Sequence, residues 1–329
     1  MIISRTPFRI SFFGGGTDYP VWYKEHGGAV LATSINRYCY VTCRYLPPFF
    51  EHKYRIVYSK TEQTRSVSEI QHPSVRETLT FMNVDRGVEI HHDGDLPAGI
   101  GLGSSSAFTV CLLNALHALK GEMVTKRRLA LEAIHIEQDK IRENVGSQDQ
   151  TTTAFGGFNK IEFGGEQEIM VQPITLASEK LQRCQEHLML FYTGVSRTAS
   201  EVAGEQIRKT PEKKNELNRM REMVDEALEI LCGSDSDVTD FGRLLHETWM
   251  IKRSLTDNIT NPRIDKIYES AREAGALGGK LLGAGGAGCI LFFVEPERQP
   301  MVREKLKDLL YVPIKFENLG SQIVYYSPD

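Results

Sequence analysis

Nowhere in the 329 residues do 18 apolar residues run together, and the N-terminus, Met1 to Arg9, has no basic segment leading into an apolar stretch. Membrane insertion and secretion are therefore not expected, and a cytoplasmic location is. No run of Lys or Arg forms a basic stripe: 25% of residues are charged, yet the formal net charge is −4. A nucleic-acid backbone would find no cationic track, so no nucleic-acid partner is expected. The six cysteines, at 39, 43, 111, 184, 232 and 289, contain no Cys-x-x-Cys pair and no zinc-type spacing with His. They read as reduced core thiols of a cytosolic chain. Two familiar phosphate-binding signatures are also missing. There is no Gly-x4-Gly-Lys-Ser/Thr, and Gly99-Ile-Gly101-Leu-Gly103 lacks the Gly-x-Gly-x-x-Gly spacing with an acidic residue about twenty positions on. A Walker-type ATPase and a nicotinamide-dependent dehydrogenase both lose their required context.

The chain is long enough for two domains, each with its own core. Strands are expected over Ile2 to Phe13, Ala29 to Leu46, Gly87 to His92, Phe155 to Phe163, His187 to Tyr192 and Cys289 to Val294. An apolar helical pattern runs from Ser104 to Lys120 and stops at Gly121. Thr125 is an N-cap for a helix reaching about Asn144. Further helices are expected near Pro211 to Cys232, from about Asp240, over Pro262 to Ala274 and near Gln299 to Leu310. The polar stretch Ala177 to Gln185 is taken as the boundary between domains 1–180 and 181–329. Irregular alternation of strands and helices favours the α+β class over a doubly wound sheet.

Three glycine-rich stretches stand out. From Gly99 to Ser106 the chain leaves a strand and turn and enters a helix, so backbone N–H groups at a helix N-terminus can converge on an anion. Three serines add hydroxyls, one of which could ligate a Mg²⁺ bridging nucleotide phosphates. The plainer reading is a turn followed by one capping serine, but one serine suffices for a cap. Gly278 to Gly288 reads as a glycine loop running from a helix into the strand Cys289 to Val294. Arg9 to Asp18 ends a strand in Gly14-Gly15-Gly16 and then presents Thr17 and Asp18. Two carboxylates add chemistry. Glu137 falls on the apolar face of its helix with Ala130, Ala133, Ile134 and Ile141, where a carboxylate is costly unless paired or bound to metal. Asp149 falls in a loop after that helix, where the alternative is an Asx-turn or cap.

These residues resemble the GHMP kinases, a family that includes galactokinase and the homoserine, mevalonate and phosphomevalonate kinases. Its three motifs appear in order at Arg9 to Asp18, Pro97 to Ala107 and Lys280 to Gly288, and the resemblance covers nearly the whole chain. Within the family, Phe-Gly-Gly-Gly-Thr-Asp, Gly-Ser-Gln-Asp-Gln at 146–150, Tyr192 to Arg197 and Leu245 to Arg253 are most similar to the kinases of D-glycero-D-manno-heptose 7-phosphate. The L-fucose kinases follow. The resemblance implies a ribosomal-protein-S5-like N-terminal domain and a ferredoxin-like C-terminal domain, with ATP, Mg²⁺ and a small sugar phosphate meeting between them. It implies Asp149 as catalytic residue with Arg9 beside it. It implies Ser105 and Glu137 as Mg²⁺ ligands and Pro97, Gly99, Gly101, Leu102, Gly103, Ser104, Ser105 and Ser106 as the nucleotide loop. For the acceptor it implies Gly15, Gly16, Thr17, Asp18, Arg197, Lys280 and Gly285. A substrate phosphate would need cations away from the nucleotide, for which Arg197, Lys252, Arg253 and Lys280 are candidates. Galactokinases carry Glu-His where this chain has Gly15-Gly16, which argues against galactose. A sensor that keeps the fold without catalysis is the rival of another class; the presence of Asp149, Glu137 and Ser105 argues against it. Oligomeric state is left open, a homodimer included.

Overall fold

The structure is a computed structural model that describes residues 1–165, 168–194, 199–233 and 236–327. In chain order its elements are β1 (Ile2–Phe13), α1 (Pro20–His26), β2 (Gly28–Tyr45), β3 (Tyr54–Val57), β4 (Thr61–Thr64), α2 (Pro73–Phe81), β5 (Val88–Gly94), α3 (Ser104–Leu119), α4 (Lys126–His135), α5 (Gln148–Phe155), β6 (Phe158–Phe163), β7 (Ile169–Pro173), α6 (Ser178–Glu186), β8 (Leu188–Tyr192), α7 (Ala199–Lys209), α8 (Lys214–Cys232), α9 (Thr239–Arg253), α10 (Pro262–Glu273), β9 (Ala276–Leu281), β10 (Cys289–Val294), α11 (Gln299–Lys305), β11 (Leu310–Val312), β12 (Phe316–Glu317) and β13 (Gln322–Tyr326).

The fold is α+β. One sheet runs β13-β1-β2-β5-β3-β4, with β6 and β12 also pairing to β2 and β7 to β6. The long β2 makes this possible: its first half pairs with β6 and its second with β5. The second sheet is antiparallel, in the order β11-β8-β10-β9. Helix α3 is buried along most of its length, from Ser106 to His117, over β1 and β2. The two sheets share an apolar seam. Phe12 and Phe13 at the end of β1 meet Phe241 of α9 edge-on, with ring centroids 5.4 and 5.0 Å apart, and Phe241 meets Phe293 of β10 at 5.5 Å. Truncating one such ring to Ala costs about 3–5 kcal/mol. The last strand returns to the first sheet, where Tyr326 pairs with Ile2. Among the described residues no helix is long and apolar enough to cross a membrane.

Five elements differ from the sequence reading. The helix starting at Thr125, whose hydroxyl accepts from Arg128 N–H at 3.2 Å, ends at His135 and passes into a π-helical turn over Ile136–Ile141 instead of reaching Asn144. Residues 148–155, read as loop and strand, form α5. Thr151, Thr152 and Thr153 are weak helix formers, but each hydroxyl donates to the carbonyl four residues back, at 2.7, 2.7 and 2.8 Å. The polar boundary stretch is the helix α6, and α11 stops at Lys305. Gly278 and Gly279 lie inside strand β9, so the glycine cluster is a hairpin and not a helix-to-strand loop. Helix α9 crosses so close that a Cβ on Gly278 would stand 1.9 Å from the Gly242 carbonyl.

Candidate active site

A cavity of about 300 Å³ opens where β1, the turn before α3, the start of α5 and the β9–β10 hairpin converge, with α7 and α9 closing it. Its roof is the N-terminus of α3. The cap position is Gly103, in the left-handed conformation at φ 73°, and no side chain caps the helix. The plainer reading of Ser104–Ser106 as caps therefore does not describe this turn, and the leading N–H groups stay available to an anion. Gly99, Gly101, Gly103, Ser104, Ser105 and Ser106 all line the cavity. The glycine hairpin braces this turn from behind. A Cβ on Gly101 would lie 2.5 Å from the Leu282 carbonyl and one on Gly283 2.6 Å from Gly101 Cα, while Cys289 N–H donates to Ile100 O at 2.8 Å.

Below the turn, Arg9 of β1 and Asp149 of α5 form a two-pronged ion pair. Nε donates to Oδ1 at 2.7 Å and Nη2 to Oδ2 at 2.5 Å, and Nη1 donates to the Gly101 carbonyl at 2.7 Å. One guanidinium thus ties the carboxylate to the glycine turn. Asp149 lies in the first turn of α5, where a negative charge suits the helix dipole. Asp18 is buried beside it, its Oδ1 accepting from Gly16 N–H at 2.9 Å and its Oδ2 from Gln148 N–H at 3.4 Å. Burial, reinforced by the nearby Asp149 charge, raises the Asp18 carboxyl.

Two buried lysines complete the wall. Lys252 of α9 donates to the carbonyls of Leu281 and Gly283 at 3.1 and 2.6 Å, and Lys280 of β9 to that of Phe12 at 2.8 Å. Neither has a carboxylate partner among the described residues. Burial, with Arg9 adding repulsion, lowers Lys252 to about 7, and burial with repulsion from Lys252 and Arg9 holds Lys280 well below its ordinary value.

Glu137 sits deeper. Its Oε2 accepts from Ser106 Oγ at 2.8 Å and from Gln150 Nε2, while Oε1 is buried without a hydrogen-bond partner among the described residues. Burial pushes this carboxyl up to about 7. The structure pairs Glu137 with Ser106, whereas the sequence reading joined it to Ser105, whose side chain is the exposed one of the two. Among the described residues no cluster of three His, Cys, Asp or Glu could cage a metal by itself.

Glu137, Pro97, Leu102, Thr17, Gly285 and Arg253 of the predicted set stand outside the cavity lining. Pro97 is exposed on the approach to the turn, and Leu102 is buried in the core. The Thr17 hydroxyl lies 2.8 and 2.9 Å from the Gly14 and Ala29 carbonyls and fastens the β1 turn to β2. Gly285 backs onto the chain at Ile259, whose Cα would be 2.8 Å from a Cβ there. Arg253 pairs with Asp265 at 2.8 Å. Arg197 lies outside the described residues. Sequence reasoning missed Ser11, Tyr19, Glu143, Asn144, Gln148 and Gln206, all of which face the cavity. Gln206 shares a helix face with Ser200 and Ala203 at a spacing of three; nothing in the sequence connects that face to β1.

An uncapped helix N-terminus above a carboxylate–guanidinium pair, flanked by unpaired lysines, defines a phosphoryl-transfer site. The profile of the GHMP kinases N terminal domain matches residues 71–157 and that of the GHMP kinases C terminal region matches residues 219–312, together more than half of the chain. The chain belongs to the GHMP kinase family, and is thus a phosphotransferase of a family that uses ATP. Among its relatives is the D-glycero-alpha-D-manno-heptose 7-phosphate kinase of Campylobacter jejuni, 25% identical over 91% of each chain. The mevalonate kinase of Thermococcus sibiricus is 29% identical over 78% of this chain and 75% of its own. In structure the chain resembles a D-glycero-D-manno-heptose 1-phosphate kinase from B. thetaiotaomicron, with a TM-score of 0.78, 24% identity, and 99% and 100% of the two chains covered.

Proposed function

We propose that this protein transfers the γ-phosphoryl group of ATP to the anomeric C1 hydroxyl of D-glycero-D-manno-heptose 7-phosphate, giving the 1,7-bisphosphate and ADP. The observation that carries this reading is the Arg9–Asp149 pair held against the glycine turn. On this reading the pair supplies the proton acceptor for an acceptor hydroxyl and a fixed cation for the nucleotide phosphate. Asp149 orients that hydroxyl and takes its proton as the new P–O bond forms and the bond to ADP breaks. The α3 N-terminus and Arg9 stabilise charge on the transferred group.

The residues present fit a Mg²⁺. Glu137 has an orphaned buried oxygen and a neighbouring serine hydroxyl, both hard oxygen ligands, and with so few protein ligands the nucleotide phosphates would supply the rest. Glu137 and a serine of 104–106 would hold it, and it would neutralise phosphate charge. Lys252 and Lys280, lacking carboxylate partners, suit an anionic acceptor, and a sugar phosphate is the acceptor named for the relative that matches along 91% of its length. The domains divide near residue 180, before β8 opens the second sheet.

The test is ADP release with heptose 7-phosphate, heptose 1-phosphate, unphosphorylated heptose, fucose and mevalonate at equal sub-saturating concentrations. Heptose 7-phosphate is expected to exceed unphosphorylated heptose and fucose in kcat/KM by at least about tenfold, because charge-assisted contacts are roughly twice as strong as neutral ones. Equal or faster turnover of fucose overturns the heptose assignment.

A further inference from the structure

Around Gly15 and Gly16 the cavity wall holds polar side chains that no other described residue satisfies. Ser11 Oγ and Gln148 Oε1 are both buried and without a hydrogen-bond partner among the described residues. Both flank the same gap: a Cβ built on Gly15 would lie 3.6 Å from Ser11 Oγ and 3.8 Å from Gln148 Nε2. On the other side, Gln206 of α7 is 5% exposed and its side-chain amide has no hydrogen bond among the described residues. Its Nε2 occupies the place a side chain on residue 16 would take, 2.7 Å from a Cβ built there. All five residues line the same cavity. The backbone has given up two side chains, and three neutral polar groups from β1, α5 and α7 have filled the space.

Buried polar groups are ordinarily paired, so unpaired groups on residues that line a cavity point to a ligand that pairs them. The chemistry of the three selects among ligands. A hydroxyl and two amides both donate and accept and carry no charge, which suits ring hydroxyls, themselves donors and acceptors, better than a phosphate or carboxylate. The charged groups stand elsewhere: Asp18 is held by the N–H groups of Gly16 and Gln148, and Lys252 and Lys280 are on the α9 and β9 wall.

The geometry points to Ser11, Gln148 and Gln206 as a neutral subsite that reads the hydroxyls of the acceptor's sugar ring, separate from the lysines that face its phosphate. This assignment rests on the proposed sugar kinase activity and adds its specificity residues. The absence of side chains at Gly15 and Gly16 is then a requirement of the site, since any group there would displace the amide or fill the gap.

The experiment measures kcat and KM for heptose 7-phosphate, for unphosphorylated heptose and for ATP in Gln206→Leu, Ser11→Ala and Gly15→Ala, with Lys280→Met for contrast. A lost hydrogen bond to a substrate hydroxyl lowers kcat/KM by about tenfold, so each of the first three variants is expected to lose about that factor equally for both sugars, with KM for ATP unchanged. Lys280→Met is expected to lose it for the phosphorylated sugar alone. Gly15→Ala keeps the test decisive should Gln206→Leu fail to fold, because its methyl meets neighbours at ordinary contact distance. Unchanged sugar kinetics in Gln206→Leu and Gly15→Ala, or an equal rise in KM for ATP, overturns the subsite. Wild-type protein that turns over no sugar at all overturns the activity on which it rests.

Discussion

On the side of the cavity built by β1, α3 and α5, the Arg9 guanidinium is matched by the Asp149 carboxylate through two hydrogen bonds. On the side built by α9 and the β9–β10 hairpin, the Lys252 and Lys280 ammonium groups meet backbone carbonyls and no carboxylate among the described residues. Both sides bury positive charge, but the first is compensated within the fold and the second, among the described residues, is not. A matched pair holds one geometry whether or not substrate is present, which is what a reacting centre needs. An unmatched lysine loses its proton easily and regains it beside an anion, which is what a phosphate contact needs. The glycine stretches divide the same way. The turn before α3 faces the cavity, while most of the hairpin glycines let backbone pack on backbone behind it.

The sharpest test of this division is Asp149→Asn, which leaves Arg9 facing an amide. It is expected to lower kcat by about 10²–10⁴-fold, the usual contribution of a positioned base, with nucleotide affinity kept. Single-turnover kinetics together with ATP-analogue binding checks it, and near wild-type turnover would remove Asp149 from the chemistry.

On the unmatched side, Lys252→Met is expected to raise KM for heptose 7-phosphate by about 10–100-fold while changing the unphosphorylated sugar little, since a charge-assisted contact contributes about 1.5–3 kcal/mol. Proton uptake accompanies sugar phosphate binding near pH 7.5, because the anion restores the Lys252 charge. Calorimetry in buffers of different ionisation enthalpy measures it; equal heats would place the phosphate elsewhere.

Stability of the ligand-free protein against pH separates the buried groups. Glu137 is raised from 4.5 to about 7, so its contribution is fully present below about pH 4.5 and is lost as pH climbs through 7; Asp18 acts in the same direction. Lys252 is lowered from 10.5 to about 7, so its contribution is present above about pH 10.5 and is lost as pH falls through 7, with Lys280 acting alongside. A stability minimum near pH 7 is expected, with an acid limb of about 3 kcal/mol and an alkaline limb of about 5 kcal/mol. Urea unfolding from pH 5 to 10 checks it: Glu137→Gln should flatten the acid limb and Lys252→Met the alkaline one.

The smallest effect is on metal. Glu137→Gln should raise the Mg²⁺ concentration for half-maximal rate several-fold, a neutral amide being a poorer ligand for a hard cation. Unchanged Mg²⁺ dependence with a lowered melting temperature would leave Glu137 a structural residue.

The sequence by itself determined the elements whose signals are local. Strand β1, helix α3 with its glycine entry, the Thr125 cap and strand β10 follow from periodicity, caps and turn residues. The three motifs, and with them the family, lie in contiguous residues for the same reason. Helix α5 was illegible because three threonines disfavour a helix until their hydroxyls reach back along the helix to the backbone. The family resemblance placed Arg9 beside Asp149, 140 residues away in sequence, but not the geometry of the pair. Only the tertiary structure decided where the lysines end: Lys280 meets the Phe12 carbonyl, 268 residues away. No period encodes such a separation. The same holds for Gln206, whose position against Gly16 exists only because α7 comes up to the turn after β1: burial, and therefore the proton affinity of Glu137, Lys252 and Lys280, is a property of the surrounding fold and not of the residue.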